Sequence, residues 1–105
     1  MARFVDLDPS RPGGLPSTLE VSEGDLLRFH ASGGKVLDGH AVVRVLGVYQ
    51  SAVLTTVGTV LAPEGAPNAL VVLAVSPGVA TVETVTGEPF RSPEHARVRV
   101  EVRPI

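Results

Sequence analysis

The groups of this 105-residue chain that could do chemistry are three histidines, eleven carboxylates and a scatter of hydroxyls. A zinc ion needs three or four ligands at one point. His30 falls inside an alternating stretch and is expected to face outward, while His40 and His95 each begin one. A weak metal site would require His40 and His95 to share one end of the molecule with Asp38 and Glu94. Scattered surface histidines are the plainer reading. Asp6 and Asp8 make an Asp-x-Asp pair of the type that contributes to calcium sites, but two carboxylates are too few for that ion. Seven serines and seven threonines include no Gly-x-Ser-x-Gly elbow. Gly33-Gly34-Lys35 is followed by no helix that could complete a phosphate loop. The chain has no cysteine, so it has no thiol nucleophile, no disulfide and no thiolate-bound metal. Catalysis and cofactor chemistry are therefore not expected, and recognition by contact is.

Charge and hydropathy narrow the partners. Nine basic residues against eleven acidic ones give a net charge of −2. A nucleic-acid binder usually carries a basic surplus. No apolar run approaches the roughly 18 residues of a membrane span. The start, MARFVDLDPSRPGGLP, lacks a signal-type apolar core because Asp6 and Asp8 interrupt it. The expected setting is intracellular, virion-associated, or that of a domain excised from an exported protein. The expected partner is a protein, a neighbouring domain or a second copy of the chain, with no nucleic acid and no membrane insertion.

The elements that must position any site read as strands. Residues 1–17 hold three prolines and two glycines and should form an extended arm or linker, with the domain proper at 18–105. From Thr18 onward, short apolar stretches alternate with turns. Strands are expected at Thr18–Val21, Leu26–Ala31, Ala41–Tyr49, Ser51–Leu61, Ala69–Val75, Val79–Thr86 and His95–Arg103. Gly58 should mark a bend, and Ser32 to about Gly39 a loop. About seven strands at this spacing indicate an all-β, immunoglobulin-like antiparallel sandwich. Leu19, Val21, Leu27, Phe29, Val43, Val45, Leu70, Val72, Ala80, Val82, Val98 and Val100 are the expected core.

The run Ala69-Leu70-Val71-Val72-Leu73-Ala74-Val75 breaks the alternation. With Leu70, Val72 and Ala74 inward, Val71, Leu73 and Val75 form an apolar outer row. Such a row marks an interface, covered by a subunit, a partner or the arm. Lys35 and Asp38, with Pro89, Phe90 and Arg91, are the expected loop contacts.

The two ends of the chain resemble a known family. Leu19-Glu20-Val21-Ser22-Glu23-Gly24-Asp25-Leu26-Leu27-Arg28-Phe29 is similar to the opening hairpin of bacterial immunoglobulin-like domains. Ser76-Pro77-Gly78-Val79-Ala80-Thr81-Val82-Glu83 and Ala96-Arg97-Val98-Arg99-Val100-Glu101-Val102 resemble their closing strands. Residues 33–68 depart from the pattern, and the Trp and Cys pair of antibody domains are missing. The resemblance implies a structural or interaction module, such as a surface or adhesion repeat. A structural or decoration protein of a virus particle would also suit a sandwich with an arm. The opening hairpin resembles that of cupredoxins too, but their copper site needs a cysteine. A further resemblance is to chagasin-type inhibitors of papain-like cysteine proteases, which present three loops at one end of such a sandwich. Glu88-Pro89-Phe90-Arg91 stands where their Arg-Pro-aromatic loop falls. Their Asn-Pro-Thr-Thr-Gly loop would follow Ala31, where this chain has Ser32-Gly33-Gly34-Lys35.

Overall fold

Alternating β-branched and polar residues do build strands here. The computed structural model of the chain describes residues 2–8, 14–49, 53–54, 56–58, 60–61, 69–86 and 93–105. The strands are β1 (Phe4–Leu7), β2 (Thr18–Ser22), β3 (Leu26–Phe29), β4 (Gly33–Asp38) and β5 (Val43–Tyr49). They continue as β6 (Val53–Leu54), β7 (Val60–Leu61), β8 (Ala69–Ala74), β9 (Gly78–Thr86) and β10 (Glu94–Arg103). One sheet has the order β1-β3-β8-β5 and the other β2-β10-β9-β4; β6 and β7 pair separately. The immunoglobulin-like all-β sandwich expected from the sequence is the observed architecture, with no helix among the described residues.

Two details differ from the seven-strand, purely antiparallel expectation. Residues 4–7 of the arm form an edge strand running parallel to β3, and β2 runs parallel to β10. Residues 33–38, expected as a loop, form β4, antiparallel to β9. Gly34 makes that pairing possible. A Cβ there would stand 2.5 Å from the Glu83 carbonyl oxygen and 2.6 Å from Leu70 Cδ2. Two glycines read as a break, but here one permits close approach of strand to strand.

The core forms between the inner faces of the two sheets. Leu27, Phe29, Leu70 and Val72 of one sheet meet Val21, Ala80, Val82, Val98 and Val100 of the other. Leu19 and Val45, expected within the core, are half-buried against it. Leu7 of the arm and Val102 join it. Phe29 is among the largest fully buried side chains.

The register sorts the connections by end. The links β2–β3 (Glu23–Asp25), β4–β5 (Gly39–Val42) and β8–β9 (Val75–Pro77) lie together at what we call the turn end. They are tied by Gly24 N–H to Ala74 O at 2.8 Å, Val75 N–H to Val42 O at 2.8 Å and Ser76 Oγ–H to Ala41 O at 2.6 Å. At the opposite, loop end, Phe29 pairs with Leu70, Tyr49 with Ala69, Gly33 with Val85, and Thr86 with Glu94. The connections 30–32, 50–68 and 87–93 therefore all depart from that one end.

Candidate functional site

The loop end is where the strands deliver the residues that could recognise a partner. Its first connection, His30-Ala31-Ser32, is held on three sides. His30 N–H donates to Leu7 O at 3.0 Å, Ala31 is buried, and Ser32 donates to Val85 O from its amide at 2.8 Å and its hydroxyl at 3.0 Å. A segment fixed in this way loses little entropy on binding. Pro89, Phe90 and Arg91, expected in the last connection, lie outside the described residues. Lys35 and Asp38 are described but do not sit at this end as loop residues. Both are exposed on β4, with Asp38 closing that strand near the turn end.

A charged cluster stands beside the first connection. Asp6 of β1 lies 2.8 Å from His30 Nε2 and 3.0 Å from Arg28 Nε. His30 Nδ1 is 3.9 Å from Asp8 Oδ2. The Arg28 Nε contact is one of charge, without a hydrogen bond from that nitrogen. Arg28 Nη2 lies 3.0 Å from His30 Nε2, so guanidinium and carboxylate compete for one ring nitrogen. Which bond forms depends on where the imidazole proton resides. The Asp-x-Asp pair, weighed above as part of a cation site, thus turns to cationic side chains. His40 and His95 do not meet: His40 belongs to the turn-end connection, and His95 pairs in register with Val85 near the loop end. The metal arrangement that needed them together is not formed. His95 Nδ1 lies instead 3.4 Å from Glu83, which also holds Arg97 at 3.4 Å.

The arm is fastened at its other extremity by Asp25 of the opening hairpin. Asp25 is fully buried. Its carboxylate accepts from the amides of Arg3 and Ser22, both at 2.8 Å, and from Arg3 Nη2 at 3.1 Å. Burial alone would raise its pKa. The amide hydrogen bonds of Ser22 and Arg3, with the hydrogen bond and charge of the Arg3 guanidinium, outweigh that and hold the carboxyl below its ordinary value. The Gly-Asp pair in the opening hairpin was the available signal, but its partner Arg3 lies 22 residues away.

The outer faces of the two sheets differ. The β10 face is laced by Arg97–Glu83, Arg99–Glu101 and, across to β2, Arg103–Glu20 at 2.7 Å. On the β8 face, Val71 and Leu73 are half-buried and Val75 is exposed. Arg28 stands in register with Val71, and Leu26 and Arg44 with Leu73. Phe4, Leu46 and Tyr49 are exposed on the same sheet. The arm pairs along the β3 edge, so residues 4–7 extend this sheet sideways and do not cover the Val71–Leu73–Val75 row.

No protein-family model matches the chain, and no curated protein matches its sequence. Among solved structures it is similar to the crystal structure of the cysteine protease inhibitor EhICP2 from Entamoeba histolytica. That similarity covers 97% of this chain and 97% of that one, with a TM-score of 0.63 and 13% identity. It is also similar to the solution structure of Amebosin, over 95% of this chain and 98% of that one, with a TM-score of 0.52 and 11% identity. These likenesses establish a shared β-sandwich fold along the whole chain.

Proposed function

We propose that this protein is a non-enzymatic β-sandwich that inhibits papain-like cysteine proteases through the connections at its loop end. The observation that carries the reading is the gathering of 30–32, 50–68 and 87–93 at one end of a fold shared end to end with a cysteine protease inhibitor. Residues 88–91, Glu-Pro-Phe-Arg, supply the proline-aromatic pair that such a loop calls for. The Ser32-Gly33-Gly34 stretch departs from the Asn-Pro-Thr-Thr-Gly pattern, so on this reading the first connection offers backbone and small side chains. Fusion or continuation at either terminus would leave this end clear, because Arg3 and Arg103 both sit against the turn-end segment 22–25. A head-to-tail surface repeat would instead place its first and last strands' outer ends at opposite ends.

The test is inhibition of papain by the purified chain, measured with a small fluorogenic substrate. Replacement of Pro89, Phe90 and Arg91 by Gly and Ser should weaken inhibition by about thirtyfold or more, as loss of an aromatic anchor does. Full papain activity in a large excess of the folded chain would refute the reading. A second reading, that of an interaction module using its sheet face, is favoured by the apolar row Val71–Leu73–Val75, with Leu46 and Tyr49 exposed beside it.

A further inference from the structure

Most basic side chains among the described residues have an acidic partner. Arg3 meets Asp25, Arg28 and His30 meet Asp6, His95 and Arg97 meet Glu83, Arg99 meets Glu101, and Arg103 meets Glu20. Among the described residues, Lys35, His40 and Arg44 make no ion pair and no side-chain hydrogen bond. These three line one cleft of about 420 Å³, where β4, at the edge of one sheet, passes β5, at the edge of the other. Val36, Val43 and Val45 give it an apolar floor. Glu83 stands in register with Lys35 but is engaged by His95 and Arg97, and Asp38 is not among the lining residues.

We infer that this cleft is a second recognition site, which seats an extended acidic segment of a partner protein. Two cations, Lys35 and Arg44, without an ion pair among the described residues and beside the valines, complement a segment in which carboxylates flank an apolar side chain. Salt bridges at such a rim set orientation and encounter rate, while the valine floor excludes water. Both bordering strands are irregular, β4 between Val36 and Asp38 and β5 between Val45 and Gly47. Bulges of that kind disrupt the ladder a further strand would need. The partner therefore contributes side chains to the cleft and does not extend either sheet. The site lies on the flank of the sandwich and does not depend on protease inhibition at the loop end.

The probe is a fluorescein-labelled, capped peptide Glu-Glu-Leu-Glu-Glu, followed by anisotropy at low ionic strength and by amide shifts of the labelled protein. Binding should shift the amides of Val36 and Val45. It should weaken about tenfold in the double variant Lys35→Gln with Arg44→Gln, and by a similar factor with the Gln-Gln-Leu-Gln-Gln peptide. Both substituted side chains are exposed, and equal melting temperatures will verify that the variant folds. Equal affinity for the Gln peptide, or an unchanged affinity in the double variant, overturns the proposal. So does saturation of the cleft by sodium octanoate under conditions where the peptide does not bind, which would make the occupant a small amphipathic carboxylate. Papain inhibition measured on the same double variant separates the two sites: it should stay unchanged, and its absence in the wild type would leave the peptide result standing.

Discussion

A buried carboxylate is tolerated only where hydrogen bonds replace the water it has lost. Asp25 meets that condition with two amides and a guanidinium, and so couples the folding of the arm to its own ionisation. Its pKa is lowered in the folded chain. The stability it contributes is therefore complete above the unfolded-state value of about 3.9 and is lost as pH falls through the lower folded value. Urea midpoints of the wild type should fall steeply in that acidic window. Asp25→Asn should be less stable by about 2–3 kcal/mol at neutral pH and should lack this component of the fall. Parallel profiles for the two proteins would sink the account. Nothing at the level of composition or periodicity marks Asp25, since it reads equally well as a solvated turn residue beside Gly24. Its importance comes from Arg3, which the pattern of strands does not connect to it.

Strands with clean periodicity were legible, and those set among glycines and prolines were not. β10 alternates, with Val98, Val100 and Val102 inward and Arg97, Arg99, Glu101 and Arg103 outward, because one face is buried, and the bounds of β9 and β10 lie within a residue of the expected strands. β8 breaks the alternation, yet Leu70, Val72 and Ala74 are its inward set, as expected. β1 is hidden because the four residues Phe4–Leu7 are too few for a period to declare itself. Its strand character comes from the β3 edge it joins. β4 was hidden because Gly33 and Gly34 read as a loop. The stretch 51–61 reads as one strand, whereas Val53–Leu54 pairs back on Val60–Leu61. Deleting residues 1–8 should remove the buried Leu7, at a cost of about 1.5–3 kcal/mol, and bare the β3 edge. The expected outcome is a lower melting temperature with concentration-dependent association by sedimentation. A truncated chain as stable and as monomeric as the full one would show that the arm contributes nothing. Phe29→Ala on β3 should cost about 3–5 kcal/mol, read as a lost or greatly lowered unfolding transition.

At the scale of the molecule, the two sheets turn unlike surfaces outward: an ion-paired one over β10 and an apolar one over β8. The sequence exposed that contrast, because Arg97, Arg99 and Glu101 alternate with valines while Val71 and Leu73 do not alternate with anything polar. What it could not show is the arm's position, which depends on long-range bonds. If the β8 face seats a second copy, the wild type will sediment as a dimer at high concentration and Leu73→Lys will return it to monomer. A wild type monomeric at every concentration removes that use of the face.

The first and last strands both touch the segment 22–25, through Arg3 to Asp25 and through Glu23 to Arg103. Chain order is thus separable from architecture. A short linker joining Ile105 to the arm, with new termini opened between Tyr49 and Ala69, would leave all eight strands of the two sheets uncut. Such a circular permutant should fold to the same sandwich, with its ends displayed beside His30 instead of beside Asp25. If the loop end meets a protease as proposed, comparing the permutant with the parent turns the polarity of the molecule into a measurement: ends placed at the loop end should obstruct the partner, and ends placed beside Asp25 should not.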